Sequence, residues 1–269
     1  MRARRIVFLL GAALLHCGGA TPLLHPAQAL ATGDVRGAAG IAARAVVGDL
    51  GTSLSQATNA AAAAAAQNTT PSIDTTYAKG ALVAAAMAPD LSPVAGARVG
   101  VGAQFEGGIM YTGRGARIDL RRAFGHGTWA LSVGLGLDTA FSGRQTDALA
   151  GVDNANLLGV GGDVPILAGY QSTSGLYYAW IGARVGYEHD TIQPRGEQTV
   201  PPPSQPAPTL VGDRVFVGGL LGVAMGFRHV HVALELEADY ATVSGTFGGV
   251  SARVDGLSLT PASAVWWDF

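Results

Sequence analysis

The chain has 269 residues, 39 of them glycine, about twice the usual share of ~7%. Only 13% of residues are charged, the formal net charge is −2, and the mean hydropathy is +0.28. High hydropathy with low charge excludes a disordered chain, glycines without a three-residue period exclude collagen, and past the N-terminus no run approaches the ~20 apolar residues of a membrane helix. A soluble all-β domain or a β-barrel in a membrane remains.

Residues 1–20 read as a secretory signal peptide. Met1–Arg5 carry three arginines and Ile6–Leu15 form a ten-residue apolar run, too short to span a bilayer. The single cysteine, Cys17, follows that run within Leu14-Leu15-His16-Cys17-Gly18-Gly19. This resembles a bacterial lipoprotein cleavage box, which implies acylation of Cys17; His16 departs from the small residue expected there. Cleavage after Gly18-Gly19-Ala20 is the alternative, with a third position after Ala27-Gln28-Ala29 lying far from the apolar run. Each leaves no cysteine pair for a disulfide. Loss of residues 1–20 takes three arginines and no acids, moving the net charge from −2 to −5 and arguing against a nucleic-acid partner.

Residues 21–79 read as an Ala-rich periplasmic spacer or helix. Alanine is the best helix former, Ala60 to Ala66 is unbroken, and Val47, Leu50 and Leu54 make a narrow apolar stripe. A plug is the functional alternative to a spacer.

From about residue 80 the period changes to two. Trp129, Leu131, Val133, Leu135, Leu137 and Phe141 alternate with Ala130, Ser132, Gly134, Gly136 and Asp138; Val230, Val232, Leu234, Leu236 and Tyr240 alternate with His231, Glu235, Glu237 and Asp239. That is the strand period. Strands are expected near 115–124, 128–141, 160–171, 175–189, 212–227, 230–243 and 250–269. Their connections alternate between short (125–127, 172–174, 228–229) and long (142–159, 190–211, and a modest 244–249), as in a transmembrane barrel with short periplasmic turns and long outer loops. Residues 94–112 fit either one strand, for eight in all, or a hairpin turning at Gly102-Ala103-Gln104 with a weak further strand at 80–88, for ten. Ten is preferred.

The parity sorts the side chains. Outward aromatics gather at one end (Phe124, Trp129, Tyr170, Phe227, Trp267, Phe269) and at the other (Phe141, Tyr187, Tyr240), where headgroups would lie; Trp180 is the misfit, turned inward. Inward charges are Arg98, Glu106, Arg117, Asp119, Arg121, Asp138, Arg184, Glu188, Arg214, Glu235, Glu237, Asp239 and Arg253, six arginines against seven carboxylates. Near balance predicts mutual pairing in a filled lumen, with a small charge-lined channel as the alternative.

The chain ends Val265-Trp266-Trp267-Asp268-Phe269, with Val265, Trp267 and Phe269 alternating up to a terminal Phe. This resembles the assembly signal of bacterial outer-membrane β-barrels. The resemblance implies an all-β, antiparallel transmembrane barrel of 8–10 strands over residues 80–269, in the outer membrane of a Gram-negative bacterium. It further implies outer-membrane lipids and the barrel-assembly machinery as partners. Pro261 interrupts the last strand and is tolerable only at a bulge or strand start.

No residue is assigned a catalytic, cofactor-binding or metal-binding role. Gly100-Val101-Gly102-Ala103-Gln104-Phe105 starts like a dinucleotide loop but ends in Phe and opens no helix. His229 and His231 read as surface polar residues at a turn. A barrel enzyme acting on lipid would need a serine beside His189, which stands between Glu188 and Asp190. Loop 190–211, with six of the 13 prolines, should project as extended polyproline and offers a surface for an extracellular partner. The expected role is a packed barrel with a structural or surface-interaction function.

Overall fold

The computed structural model describes residues 21–125, 127–141, 155–194 and 208–269, excepting the side chains of 155–156 and 193–194. Cys17 and most of the two longest loops lie outside these residues. The strands are β1 (Val35–Ala43), β2 (Ala45–Val47), β3 (Leu91–Gly102), β4 (Phe105–Tyr111), β5 (Gly115–Phe124), β6 (Trp129–Ala140), β7 (Ala155–Gln171), β8 (Tyr177–Pro194), β9 (Leu210–Phe227), β10 (Val230–Phe247) and β11 (Val250–Asp268). Two helices, α1 (Asp49–Ala66) and α2 (Thr75–Met87), fall between β2 and β3.

β1 and β3 to β11 pair antiparallel with their neighbours, and β1 returns to β11, closing a ten-strand barrel without an open edge. The count of ten is as preferred, but the tenth strand is not 80–88, which is helix. It is Val35–Ala43, whose Gly/Ala sequence carries no alternation strong enough to announce a strand. The barrel therefore begins at residue 35 rather than 80, and residues 21–79 do not form a spacer outside it. β2 continues β1 along β11 in the same register after a break at Arg44. Pro261 falls opposite this break, so its missing N–H costs no ladder bond to β1 or β2, and β11 runs unbroken from Val250 to Asp268.

The β3–β4 hairpin turns where expected, with Ala103 and Gln104 both left-handed (φ 49° and 62°), the twist that suits a two-residue hairpin. The expected rhythm of loop lengths holds only in part. β8 and β9 run on to Pro194 and from Leu210, shortening the Pro-rich loop, and 244–249 is no loop but the two-residue turn Gly248-Gly249 (φ 56° and 83°), conformations natural to glycine.

Strand lengths divide the wall. β1 and β3–β6 have 7 to 12 residues, while β7–β11 have 17 to 19. Over the low side the helices close the gap: α1 packs on α2, β2 and β11, and α2 lies against the inner faces of β8–β11. Asp74 caps α2, its carboxylate accepting from Tyr77 N–H at 2.8 Å. Leu82 of α2 is fully buried, in a recess where a Cβ on Gly212 or Gly245 would stand 3.1 or 3.0 Å from it.

The outer face is apolar. Outward residues of β9 and β10 (Val217, Leu221, Val223, Met225; Val232, Leu234, Leu236) are 43–66% exposed. Between Tyr240 and Val230, beside Phe227, ten residues separate the aromatic levels, about 33 Å along a strand, or ~25 Å of height at the usual barrel tilt.

Candidate functional site: a filled lumen

Every lumen wall is set by period two, so the inward residues of adjacent strands fall side by side and form layers. Twelve of the thirteen expected inward charges do face the interior: all but Arg253, whose side chain is 69% exposed at the high rim beside Asp255 at 3.5 Å. Parity holds and it is the inward expectation that is at odds with it: Arg253 shares the outward register of Leu257, Leu259 and Trp267 along an unbroken β11.

In the lowest layer, Arg98 bonds both Glu106 and Asp119, and Arg121 holds Glu106 at 2.9 Å. In the middle, Asp163 sits between Arg117 and Arg184, and Arg184 also reaches Glu237 at 3.2 Å. Arg117 stands 3.8 Å from Asp138 and from Asp119, linking the two layers. Above them Glu188 is shared by Arg214 and Arg114, the latter at 2.7 Å. Apart from Asp138, which is partly exposed and only approaches Arg117, these groups are deeply buried, and their desolvation cost is offset by paired, charge-assisted hydrogen bonds. Gly136 makes room for the middle layer, since a Cβ there would collide with the Arg117 guanidinium.

Asp163, Arg36, Arg44, Arg114 and Asp190 are further buried members that alternation in the sequence did not pick out. Asp163 is discoverable, because it shares the parity of buried Leu157 and Leu167. Arg36 and Arg44 lie on an unrecognised strand and its break, and Arg114 on a turn. Arg44 and Arg114 serve a helix end rather than an ion pair alone. α2 ends inside the lumen with unpaired carbonyls, and Arg114 donates to Ala85 O at 2.5 Å while Arg44 donates to Met87 O at 3.2 Å. Cations at a helix C-terminus satisfy those carbonyls and the helix dipole together.

Residues 21–31 pass through the lower lumen as a strap. Glu235 accepts from Leu23 N–H (2.7 Å), Leu24 N–H (3.0 Å) and Trp180 Nε1–H (2.9 Å). Glu106 accepts from Leu30 N–H at 2.9 Å, and Arg121 donates to the carbonyls of Pro26 and Gln28. Trp180, inward as its parity required, stacks on Trp266 with centroids 5.8 Å apart, and Gly222 leaves the space its ring occupies. Arg36 lies 4.6 Å over Trp266 and pairs with Asp268 at 2.5 and 3.0 Å. His231 is not a surface residue: it is buried, with Nε2 2.9 Å from Gly175 O. His229 is exposed.

Of the terminal motif, Trp267 and Phe269 are 40% and 79% exposed on the outer face, while Trp266 points inward. His189 stands half-exposed with its Nδ1 2.8 Å from Asp213, which also accepts from Tyr187 OH; its ring is engaged with a carboxylate rather than a serine. Among the described residues no group of three or more His, Cys, Asp or Glu is arranged to hold a metal ion.

No family model matches the chain, and no curated protein matches it. Among solved structures, it is similar to Ail, the attachment invasion locus protein of Yersinia pestis, at 9% identity over 89% of this chain and 100% of that one, with a TM-score of 0.31. It is also similar to Neisserial surface protein A, at 11% identity over 88% of this chain and 96% of that one, with a TM-score of 0.32. The barrel assignment itself stands on this chain's own closed strand register.

Proposed function

We propose that the chain is an outer-membrane β-barrel of a Gram-negative bacterium, with a closed lumen and a structural or surface-interaction role. One observation carries the reading: a closed barrel wears its large apolar side chains outside and its ion pairs inside. Water would reject that exterior, whereas a bilayer requires it, and closure leaves no backbone group unpaired in lipid. The ~25 Å apolar height between aromatic levels suits an outer membrane. Outer-membrane lipids are then its solvent, and Val265, Trp267 and Phe269 its contact with the barrel-assembly machinery.

With the C-terminus in the periplasm, the tall strands β7–β11 and the helical pair stand on the extracellular side. β10 continues seven residues beyond Tyr240, about 23 Å along the strand, beside the upper ends of β8 and β9, between which the Pro-rich loop is the proposed surface for a partner outside the cell. The strap, α2 and the layered ion pairs favour a packed lumen over a channel.

Fractionation with heat-modifiability tests the reading: the protein is expected in outer membranes and to migrate differently on SDS gels unboiled and boiled. Unchanged migration with the protein in the soluble periplasmic fraction would overturn it. Reproducible single-channel steps from pure refolded protein would overturn the closed lumen alone.

A further inference from the structure

The outward face of the barrel is almost free of charge. Among the described residues, its strand positions hold Asp, Glu, Lys, Arg or His at two levels only. His189, Asp213, Arg253 and Asp255 lie above Tyr187 and Tyr240, where the wall has left the apolar belt. Below that level stands one such residue, Arg122. It is exposed on β5 two residues, about 7 Å, before Phe124 of the lower aromatic level. Its cross-strand partners are Phe105, the first residue of β4, and Val133.

The lumen arginines are bonded to carboxylates or carbonyls; Arg122 is not. Its guanidinium lies over two rings, with Cζ 5.2 Å from the Phe105 centroid and 5.1 Å from that of Phe124, and no acceptor among the described residues takes its N–H groups. Contact with aromatic rings uses the flat face of a guanidinium and leaves the donors at its edge free. The rings therefore fix the cation against the wall without neutralising it. A lone cation is costly against hydrocarbon and is tolerated at the interface, where phosphates lie. Beside it Gly107, paired with Leu120, leaves a recess: a Cβ there would meet, beyond its chain neighbours, only Asp119 O, at 3.9 Å.

We infer that Arg122 is a binding site for an anionic glycerophospholipid, its free N–H edge holding the phosphodiester and the recess at Gly107 receiving an acyl chain. The planar fork of a guanidinium matches two phosphate oxygens at once. A lipid of net negative charge is preferred to a zwitterionic one, whose own ammonium competes for the phosphate. The inference rests on the outer-membrane reading, which places the low end of the barrel, and Arg122 with it, in the periplasmic leaflet.

One experiment separates the two. The full chain is expressed in a Gram-negative host, extracted from membranes in non-ionic detergent and titrated with phosphatidylglycerol, with bound lipid counted by native mass spectrometry and folding checked by the gel shift. Arg122→Gln is expected to keep the gel shift and to lose about tenfold or more in affinity for the first lipid bound. Gly107→Leu keeps the cation, fills the recess and should also weaken binding. Arg228→Gln removes the same charge from the β9–β10 turn, where it lies over Phe227, and should bind as the wild type does. Equal affinity in wild type and Arg122→Gln, or equal losses in Arg122→Gln and Arg228→Gln, overturns the site while the barrel reading stands. Unchanged affinity in Gly107→Leu overturns the acyl contact. Equal binding of phosphatidylcholine, or displacement of the lipid by inorganic phosphate, overturns the anionic lipid as occupant. A wild-type protein in the soluble periplasmic fraction without a gel shift overturns the outer-membrane reading and the site together.

Discussion

The two ends of the lumen are filled by opposite means. The high end is closed by apolar packing, where Leu82, Val83 and Met87 of α2 meet Phe216, Val243, Phe247 and Val254 of the wall. The low end is closed by charge and main chain, where Glu235, Glu106, Arg121 and Arg184 grip the strap and an aromatic cluster of Trp180, Trp266 and Tyr178 packs beneath. Apolar contacts tolerate small changes of shape and lose energy in proportion to the space created. A buried ion pair fails abruptly, because removing one partner strands the other. The two ends should therefore answer mutation differently.

The largest effect is expected at the charged end. Arg184→Met strands Asp163, Glu237 and the Thr21 carbonyl, and should cost about 3–5 kcal/mol, read as a lowered urea midpoint for loss of the heat-modifiable form in detergent. Leu82→Ala should cost about 3 kcal/mol through the cavity it leaves at the helical end. Combined with Arg184→Met it should add except for what passes through Phe216, which packs in the Leu82 cluster and lies 5.4 Å from the Arg184 guanidinium; a large coupling energy in that double-mutant cycle would show the two ends to be one cooperative unit. Trp180→Phe keeps most of the stacking on Trp266 but removes one donor from buried Glu235, for about 1–3 kcal/mol, with tryptophan fluorescence reporting the repacking. Asp74→Ala deletes the α2 cap and should cost about 1 kcal/mol, visible as faster proteolysis at the helical end with the low end still protected.

Legibility in the sequence follows how much each feature depends on neighbours. β5, β6 and β9–β11 are readable because an outward apolar residue at every second position is a local signal, and the same parity places twelve buried charges and inward Trp180. It misses Val35–Ala43, whose alanines and glycines satisfy a helix or a strand equally and become a strand because β3 and β11 offer ladders on both sides. It misassigns 80–88, since Ala84, Ala85 and Ala86 carry no period, and burial against β8–β11 decides their helix. Arg253 is expected inward against the parity of Leu257, Leu259 and Trp267, and the structure follows the parity; the expected 244–249 loop is instead two strand ends joined by two glycines, because the alternation fades in the Ser/Gly/Thr-rich stretch before Gly248.

The chain alone establishes that it alternates and that its outward stripe is apolar and its inward stripe balanced in charge, and it leaves the strand number between eight and ten. Those are properties of residues two apart on one strand, set by the geometry of the pleat. What fills the barrel, which segment closes it and which arginine serves which carboxylate or helix end are settled only on folding. Such pairings join residues as far apart as Leu23 and Glu235, and nothing in a local pattern records a contact across more than 200 positions.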